Sequence, residues 1–204
     1  YLAYQGMTEE QRPRLQAVER KMLEKADLVF VVSDKLLETK GGVNTNTYKI
    51  ANAVDYEAYD RALQSNSAPP PDIANIHRPI IGYSGLISRR LDLPLLKSIA
   101  MNGRDWSLVL LGTVDDRGCK DELSALKRLK NVHFLGFKQY RQVPFYVKEF
   151  DVCIIPYAVC EETRSLSALK LYDFFAVGKP LVTTEFPGVS EFGDLIYVSS
   201  SKES

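Results

Sequence analysis

A chain of 204 residues with 26 Lys and Arg against 26 Asp and Glu carries no net charge. This argues against nucleic acid as the main partner, because no cationic excess is present to neutralise phosphates. A hydrophobic share of 45% allows a sizeable core in one large domain or two small ones, and no apolar run approaches the about 20 residues of a membrane-spanning helix.

The chain starts at Tyr1 without a secretory signal, so an excised or processed fragment is expected. Cys119, Cys153 and Cys160 form no CxxC pattern, and their odd number favours a reducing, cytoplasmic setting over a disulfide framework. Cys153 lies in an apolar run and is expected in the core. His77 and His133 stand isolated, and no His, Cys or carboxylate spacing suggests a metal site.

In chain order, Leu15, Val18, Met22, Leu23 and Ala26 make a helical stripe over residues 11–26. Leu28 to Val32 reads as a buried strand, Ser33 as the cap of a short helix ended by Gly41 and Gly42, and Thr47 to Val54 as a second strand. Asp55 opens a helix through Tyr56, Tyr59 and Leu63. Ser65 to Pro71 (SNSAPPP) cannot continue a helix or join a central strand, so a stiff linker and a domain boundary are placed there.

Beyond it, strand and helix alternate. Strands are predicted at Pro79–Tyr83, Ser107–Leu111, Val132–Leu135, Val152–Ile155, Leu181–Thr184 and Leu195–Val198. Helices are predicted over residues 92–101, 120–129 and 142–150, and one between Ser165 and Gly178. Short all-apolar strands in βα units imply an α/β fold with a doubly wound parallel sheet. In such sheets ligands sit at the carboxyl ends of the strands where strand order reverses. Ser84-Gly85, Gly112-Thr113, Gly136-Phe137 and the residues from Tyr157 onward are the expected rim.

The densest chemistry lies in residues 161–173. Thr163, Arg164, Ser165 and Ser167 crowd a helix start, where unpaired N–H groups and the positive dipole end favour phosphate. Ser167, Lys170 and Asp173 recur every three residues and share one face, either a ligand face or one carrying an ordinary ion pair. Gly85 is either a point of close phosphate approach or a plain turn glycine. Arg89 and Arg90 are either a pyrophosphate clamp or a solvated pair, and Phe137 either meets a nucleotide base or belongs to the core.

On these residues the chain resembles a GT-B fold glycosyltransferase of the group that includes family 4. SALKLYDFFAVGKPLVTT resembles that group's donor-binding helix, DVCIIPY the strand before it, and NVHFLGF the strand and loop that hold the nucleotide base. IGYSGLISRRLDLPLLKSIA and DWSLVLLGTV resemble the first two units of the same Rossmann-like domain. ADLVFVVSDKLL and KIANAVDYEAY resemble the end of the amino-terminal domain, with Ala53 replacing the glycine of an N-G-V-D run.

The resemblance implies a remnant of the acceptor domain at 1–64, a linker at 65–78 and a nucleotide-sugar (donor) domain at 79–204. Asp173 matches the carboxylate that accepts the ribose hydroxyls. Ser165 stands where retaining members usually carry Glu, leaving Glu161 and Glu162 as the available loop carboxylates. Subgroups with T-R-S-x-S-x-x-K place Arg164, Ser165, Ser167 and Lys170 on the diphosphate and donor sugar. The family's lysine after the first helix turn is absent, and Arg89 or Arg90 takes its place.

The expected activity is sugar transfer from a UDP- or GDP-sugar to a carbohydrate or lipid-linked acceptor, without metal or other cofactor. The fragment alone is expected to be inactive. A cytoplasmic setting is expected, with peripheral membrane association through missing parts, and the resemblance implies that the family's amino-terminal catalytic residues lie upstream of Tyr1. A GT-B-like epimerase or phosphorylase, and a non-catalytic flavodoxin-like module, are the alternatives.

Overall fold

The computed structural model describes residues 11–103, 105–159, 169–186, 189 and 192–199. They divide into two compact units, one drawn from residues up to Ala53 and one from Val54 onward.

In the first unit, α1 (Gln11–Lys25), β1 (Val29–Val31), α2 (Asp34–Gly41) and β2 (Thr47–Lys49) follow in order. β1 and β2 pair in parallel with Val29 opposite Thr47. The Ser33 side chain accepts from the Leu36 N–H at 3.3 Å and so caps α2. The Asn44 amide donates to Leu23 O at 2.8 Å and Ala26 O at 2.7 Å, tying the turn before β2 to the end of α1.

Two sequence expectations change here. β1 is not a buried strand, since only Val31 is buried while Phe30 is 60% exposed. β2 stops at Lys49 rather than Val54. A two-stranded sheet of three-residue strands gives each strand one neighbour, and among the described residues of this unit no second layer covers Leu28, Phe30, Tyr48 and Ile50. Likewise α1 buries none of its stripe, and Met22 is exposed.

The second unit opens with α3 (Tyr56–Gln64), capped by Asp55, which accepts from the Ala58 N–H at 3.1 Å. It continues through β3 (Ile80–Ser84), α4 (Leu93–Asn102), β4 (Ser107–Leu111), α5 (Lys120–Lys127), β5 (Val132–Gly136), a 3-10 turn (Tyr140–Gln142), α6 (Val143–Val147), β6 (Val152–Ile155), α7 (Leu169–Ala176), β7 (Leu181–Thr184) and β8 (Tyr197–Ser199). All six strands are parallel, in the order β5-β4-β3-β6-β7-β8.

Counted within this sheet the order is 3-2-1-4-5-6, the doubly wound arrangement expected from the alternating pattern and different from the flavodoxin-like order. The order reverses between β3 and β6, so their carboxyl ends flank the ligand crevice of such sheets.

Burial explains why the strands read as continuous apolar runs. Every residue of β4 is buried, because helices cover both faces of a central parallel strand. Gly82 in β3 leaves room for Phe150, since a Cβ there would lie 2.1 Å from its ring. α6 ends at Val147, short of the predicted Phe150, and the backbone finishes in tighter turns that bring Phe150 under the sheet.

The proline-rich segment is not a free spacer. Ile73 is buried, and the Lys148 ammonium donates to Ala62 O at 3.0 Å and Ser65 O at 3.3 Å. Asp72 accepts from Lys138 Nζ and from Tyr146 Oη, each at 2.7 Å. Thus α3 and the segment after it pack onto the sheet-bearing unit. Desolvation pushes the Asp72 carboxyl up, but the donors Lys138 and Tyr146 outweigh it and hold the group below its ordinary value.

A carboxyl held down contributes stability above its ordinary pKa and loses it as the pH falls below. Asp72→Ala is therefore expected to lower the Tm by a few degrees at neutral pH, with the gap to the unsubstituted chain closing as the pH drops below 3.8. Thermal melts at a series of pH values check this. A gap that stays constant would contradict the pinning role of the carboxylate.

Candidate functional site

The segment after β3 is laced to its neighbours on both sides. On one side Gly85 N donates to Leu111 O at 2.8 Å, Ile87 N to Thr113 O at 2.9 Å and Asp115 N to Ile87 O at 2.8 Å. On the other, Asp92 N donates to Pro156 O and Ala158 N to Arg90 O, both at 2.8 Å. Asp92 also caps α4, accepting from Leu95 N at 2.9 Å. The carboxyl ends of β3, β4 and β6 are thereby joined into one floor at the crevice, and Gly112 N to Gly136 O at 2.9 Å adds the end of β5.

Two glycines make this floor possible. Gly85 has φ +146 and Gly112 φ +139, conformations that residues with a side chain rarely adopt. A Cβ on Gly85 would lie 2.1 Å from Lys170 Cε and 2.7 Å from its Nζ. A Cβ on Gly112 would lie 1.9 Å from the Gly85 carbonyl oxygen. Gly85 is thus both a strained turn and the surface over which Lys170 passes.

Lys170 reaches there from the first turn of α7. Its Nζ stands 5.7 Å from the Tyr83 ring centroid and 5.9 Å from that of Tyr157, and donates to the Tyr157 hydroxyl at 3.4 Å. Both rings are buried, so the ammonium rests on a firm aromatic seat. Tyr157 packs edge-on against Phe186 with centroids 5.4 Å apart, and its carbonyl accepts from Thr184 Oγ1 at 2.7 Å. Burial pushes the Tyr83 hydroxyl well above its ordinary pKa, so it stays neutral and donates to Leu86 O at 3.1 Å. Among the described residues no carboxylate pairs with Lys170 at ion-pair distance, and its charge remains available to an anion.

Asp173 lies one turn further along α7 and is half-buried. Desolvation pushes its carboxyl above the ordinary value, against the opposing pull of Tyr59 and Lys170. The Tyr59 hydroxyl on α3 faces this carboxylate. It is fully buried, yet it makes no hydrogen bond of standard geometry with Asp173 or with any other group.

Of the remaining sequence candidates, Arg90 is half-buried with its charge felt at Tyr83, and Arg89 is exposed with its charge felt at Asp115. The two arginines therefore serve different neighbours. Phe137 is 72% exposed just past β5, which removes the core reading and leaves an open ring two strands from β3. Asp115 is held by Arg117, which donates at 2.8 Å and 2.6 Å. Cys119 and Cys153 are buried, and His133 is half-buried with its pKa lowered by desolvation. No group of three or more His, Cys, Asp or Glu able to hold a metal ion occurs among the described residues. Glu161, Glu162, Thr163, Arg164, Ser165 and Ser167 lie outside the described residues, as does Cys160.

Sequence reading missed the seat itself. Tyr157 belongs to the expected rim and Tyr83 ends the predicted strand just before it, but nothing in their spacing ties them to Lys170. Tyr59 reads there only as an apolar position of α3.

A cation at the switch point, a carboxylate one helical turn away and an exposed ring beyond them suit a ligand with phosphate, hydroxyls and a flat base. Residues 79–199 match the family model described as glycosyl transferases group 1, and the chain belongs to that family. TuaH of Bacillus subtilis (strain 168), whose name assigns it to teichuronic acid biosynthesis as a glycosyltransferase, is 29% identical over 192 residues, 91% of this chain and 47% of TuaH.

Two solved structures share the fold. Anabaena HepE in complex with UDP and glucose is 18% identical with a TM-score of 0.69, over 92% of this chain and 53% of that one. Sucrose-phosphate synthase from Thermosynechococcus elongatus is 21% identical with a TM-score of 0.68, over 99% and 53%. The chain thus has the GT-B type architecture and spans about half the length of the proteins it matches.

Forcing a side chain into either glycine conformation costs about 1–3 kcal/mol. Gly85→Ala is expected to cost about that and to push the Lys170 tip off its seat, since the new Cβ meets side-chain atoms rather than backbone. Gly112→Ala is expected to cost more, because its Cβ strikes backbone. Denaturant unfolding of both variants tests the order, and equal stability to the unsubstituted chain would contradict the account of the floor.

Proposed function

We propose that this chain is the donor-binding half of a glycosyltransferase that transfers a sugar from a nucleoside diphosphate sugar, UDP- or GDP-linked, to an acceptor. The observation that carries the reading is the seated Lys170 ammonium above Gly85, at the crevice where strand order reverses. A diphosphate placed there meets a fixed positive charge, and departure of that diphosphate is the step in which negative charge develops. Arg89 or Arg90, together with Thr163, Arg164, Ser165 and Ser167, which precede α7 in the sequence, complete the anion site in this reading. Asp173 accepts the ribose hydroxyls and Phe137 meets the base. Glu161 or Glu162 supplies the carboxylate near the donor sugar in this reading.

The first unit reads as the end of the acceptor domain; in the division read from the sequence, residues 1–64, 65–78 and 79–204 are remnant, linker and donor domain, with α3 of the remnant packed in the second unit. The uncovered apolar strands of the first unit support that reading. The likeness to TuaH supports a glycan or surface polysaccharide as acceptor, and that to HepE supports a uridine nucleotide as the first probe. No helix among the described residues is long and apolar enough to cross a membrane. A cytoplasmic setting, at the inner membrane face through parts beyond this chain, fits the cysteine usage. Sugar transfer itself is assigned to the longer protein.

Calorimetry with UDP, GDP and ADP tests the reading. One of the three is expected to bind. Lys170→Ala should weaken it about 10- to 100-fold, the loss typical of one hydrogen bond to a charged group, and Asp173→Ala should weaken it as well. Absence of binding to all three at millimolar concentration would overturn the proposal.

A further inference from the structure

The Tyr59 hydroxyl is the one buried side-chain oxygen or nitrogen among the described residues left without a hydrogen bond. Tyr59 itself is fully buried. Such a group is costly, since a hydroxyl taken out of water without a partner loses its hydration and gains nothing. A phenylalanine would fill the same space without that loss. The groups that face Tyr59 are Asp173 of α7, Tyr140 of the 3-10 turn and Cys153 of β6. Those that face Asp173 are Tyr59 and, on its own helix, Lys170. Asp173 is the only carboxylate among these groups. It is also the one group that needs a donor, because its burial works against its ionised form.

We infer that Tyr59 is a positioning residue for Asp173. Its hydroxyl donates to one carboxylate oxygen in the liganded state, leaving the other to accept from the hydroxyls of the bound sugar. This rests on the reading of Asp173 as the hydroxyl-binding carboxylate and extends it to a residue outside the stretch that defines the family, residues 79–199. The donor site therefore takes a side chain from α3. In the free protein the Tyr59 hydroxyl already faces the Asp173 carboxylate and helps hold its pKa down, short of standard hydrogen-bond geometry, and ligand binding tightens the contact. Closure costs little, because both groups already sit in one packed unit and only the hydrogen bond is missing. The reward is specificity: a ligand without the hydroxyls has no use for an oriented carboxylate.

The test uses the whole chain and its Tyr59→Phe variant, with whichever of UDP, GDP or ADP binds best and the 2′,3′-dideoxy analogue of that nucleotide. Tyr59→Phe is expected to lose about 10-fold in affinity for the natural nucleotide, the effect of one hydrogen bond to a charged group. Affinity for the dideoxy analogue should not change, and the Tm should be unchanged or higher. Equal loss for both ligands, or no loss for either, overturns the inference.

A ligand-free arm separates it from the functional reading. In a carbon-13 NMR titration the Asp173 carboxyl should titrate at higher pH in Tyr59→Phe, because a donor to the carboxylate has gone. An unmoved titration overturns the role of Tyr59 whatever the chain binds. A moved titration in a chain that binds no nucleotide supports the positioning of Asp173 and overturns the nucleotide reading alone.

Discussion

The site depends on one ammonium group set down in a fixed place. Lysine is a flexible chain ending in a strongly hydrated charge, and on a surface it samples many positions. Here Lys170 passes through the space left by the missing Cβ of Gly85, and its ammonium lies close to two buried aromatic rings. Neither ring is free to move, since Tyr157 is held through Phe186 and Thr184 and Tyr83 through Leu86. In the proposed site the charge is placed beforehand, so little ordering would remain on binding an anion.

The sheet supplies the rest. Reversal of strand order between β3 and β6 opens the crevice, and the backbone bonds from Gly85, Ile87, Asp92 and Ala158 stop the segment after β3 from drifting across it. Gly112 extends the same logic one strand out, because only a glycine lets the Gly85 carbonyl come so near. A catalytic group on any of these loops would be held as rigidly as the core beneath it. Asp72, Lys138 and Tyr146 fasten the proline segment beside the stretch that carries Phe137, so the outer rim is anchored as well.

Much of this was legible in the sequence for a physical reason. Central parallel strands are buried on both faces, so β4 and β6 announce themselves as apolar runs, and helices between them bring caps such as Asp55 and Asp92 that favour one start. The switch-point rule then selects Gly85 and Tyr157 as rim without coordinates. The sequence misled where neighbours decide. Val29–Val31 has the composition of a core strand, yet its burial depends on a second layer absent from the described residues of its unit. The run of prolines has the composition of a spacer, yet Ile73 and Asp72 pack it down. The seat of Lys170 was invisible because Tyr83, Tyr157 and Gly85 come from separate βα units, and periodicity reports only on residues within one element.

Where a nucleoside diphosphate lies decides the proposed role of Lys170. A crystal structure of the chain soaked with UDP is the most direct measurement. The diphosphate is expected above Gly85 within hydrogen-bond reach of Lys170 Nζ, with the ribose hydroxyls turned toward Asp173. A diphosphate bound away from the ends of β3 and β6, with Lys170 still resting between Tyr83 and Tyr157 and touching no phosphate, would contradict that role.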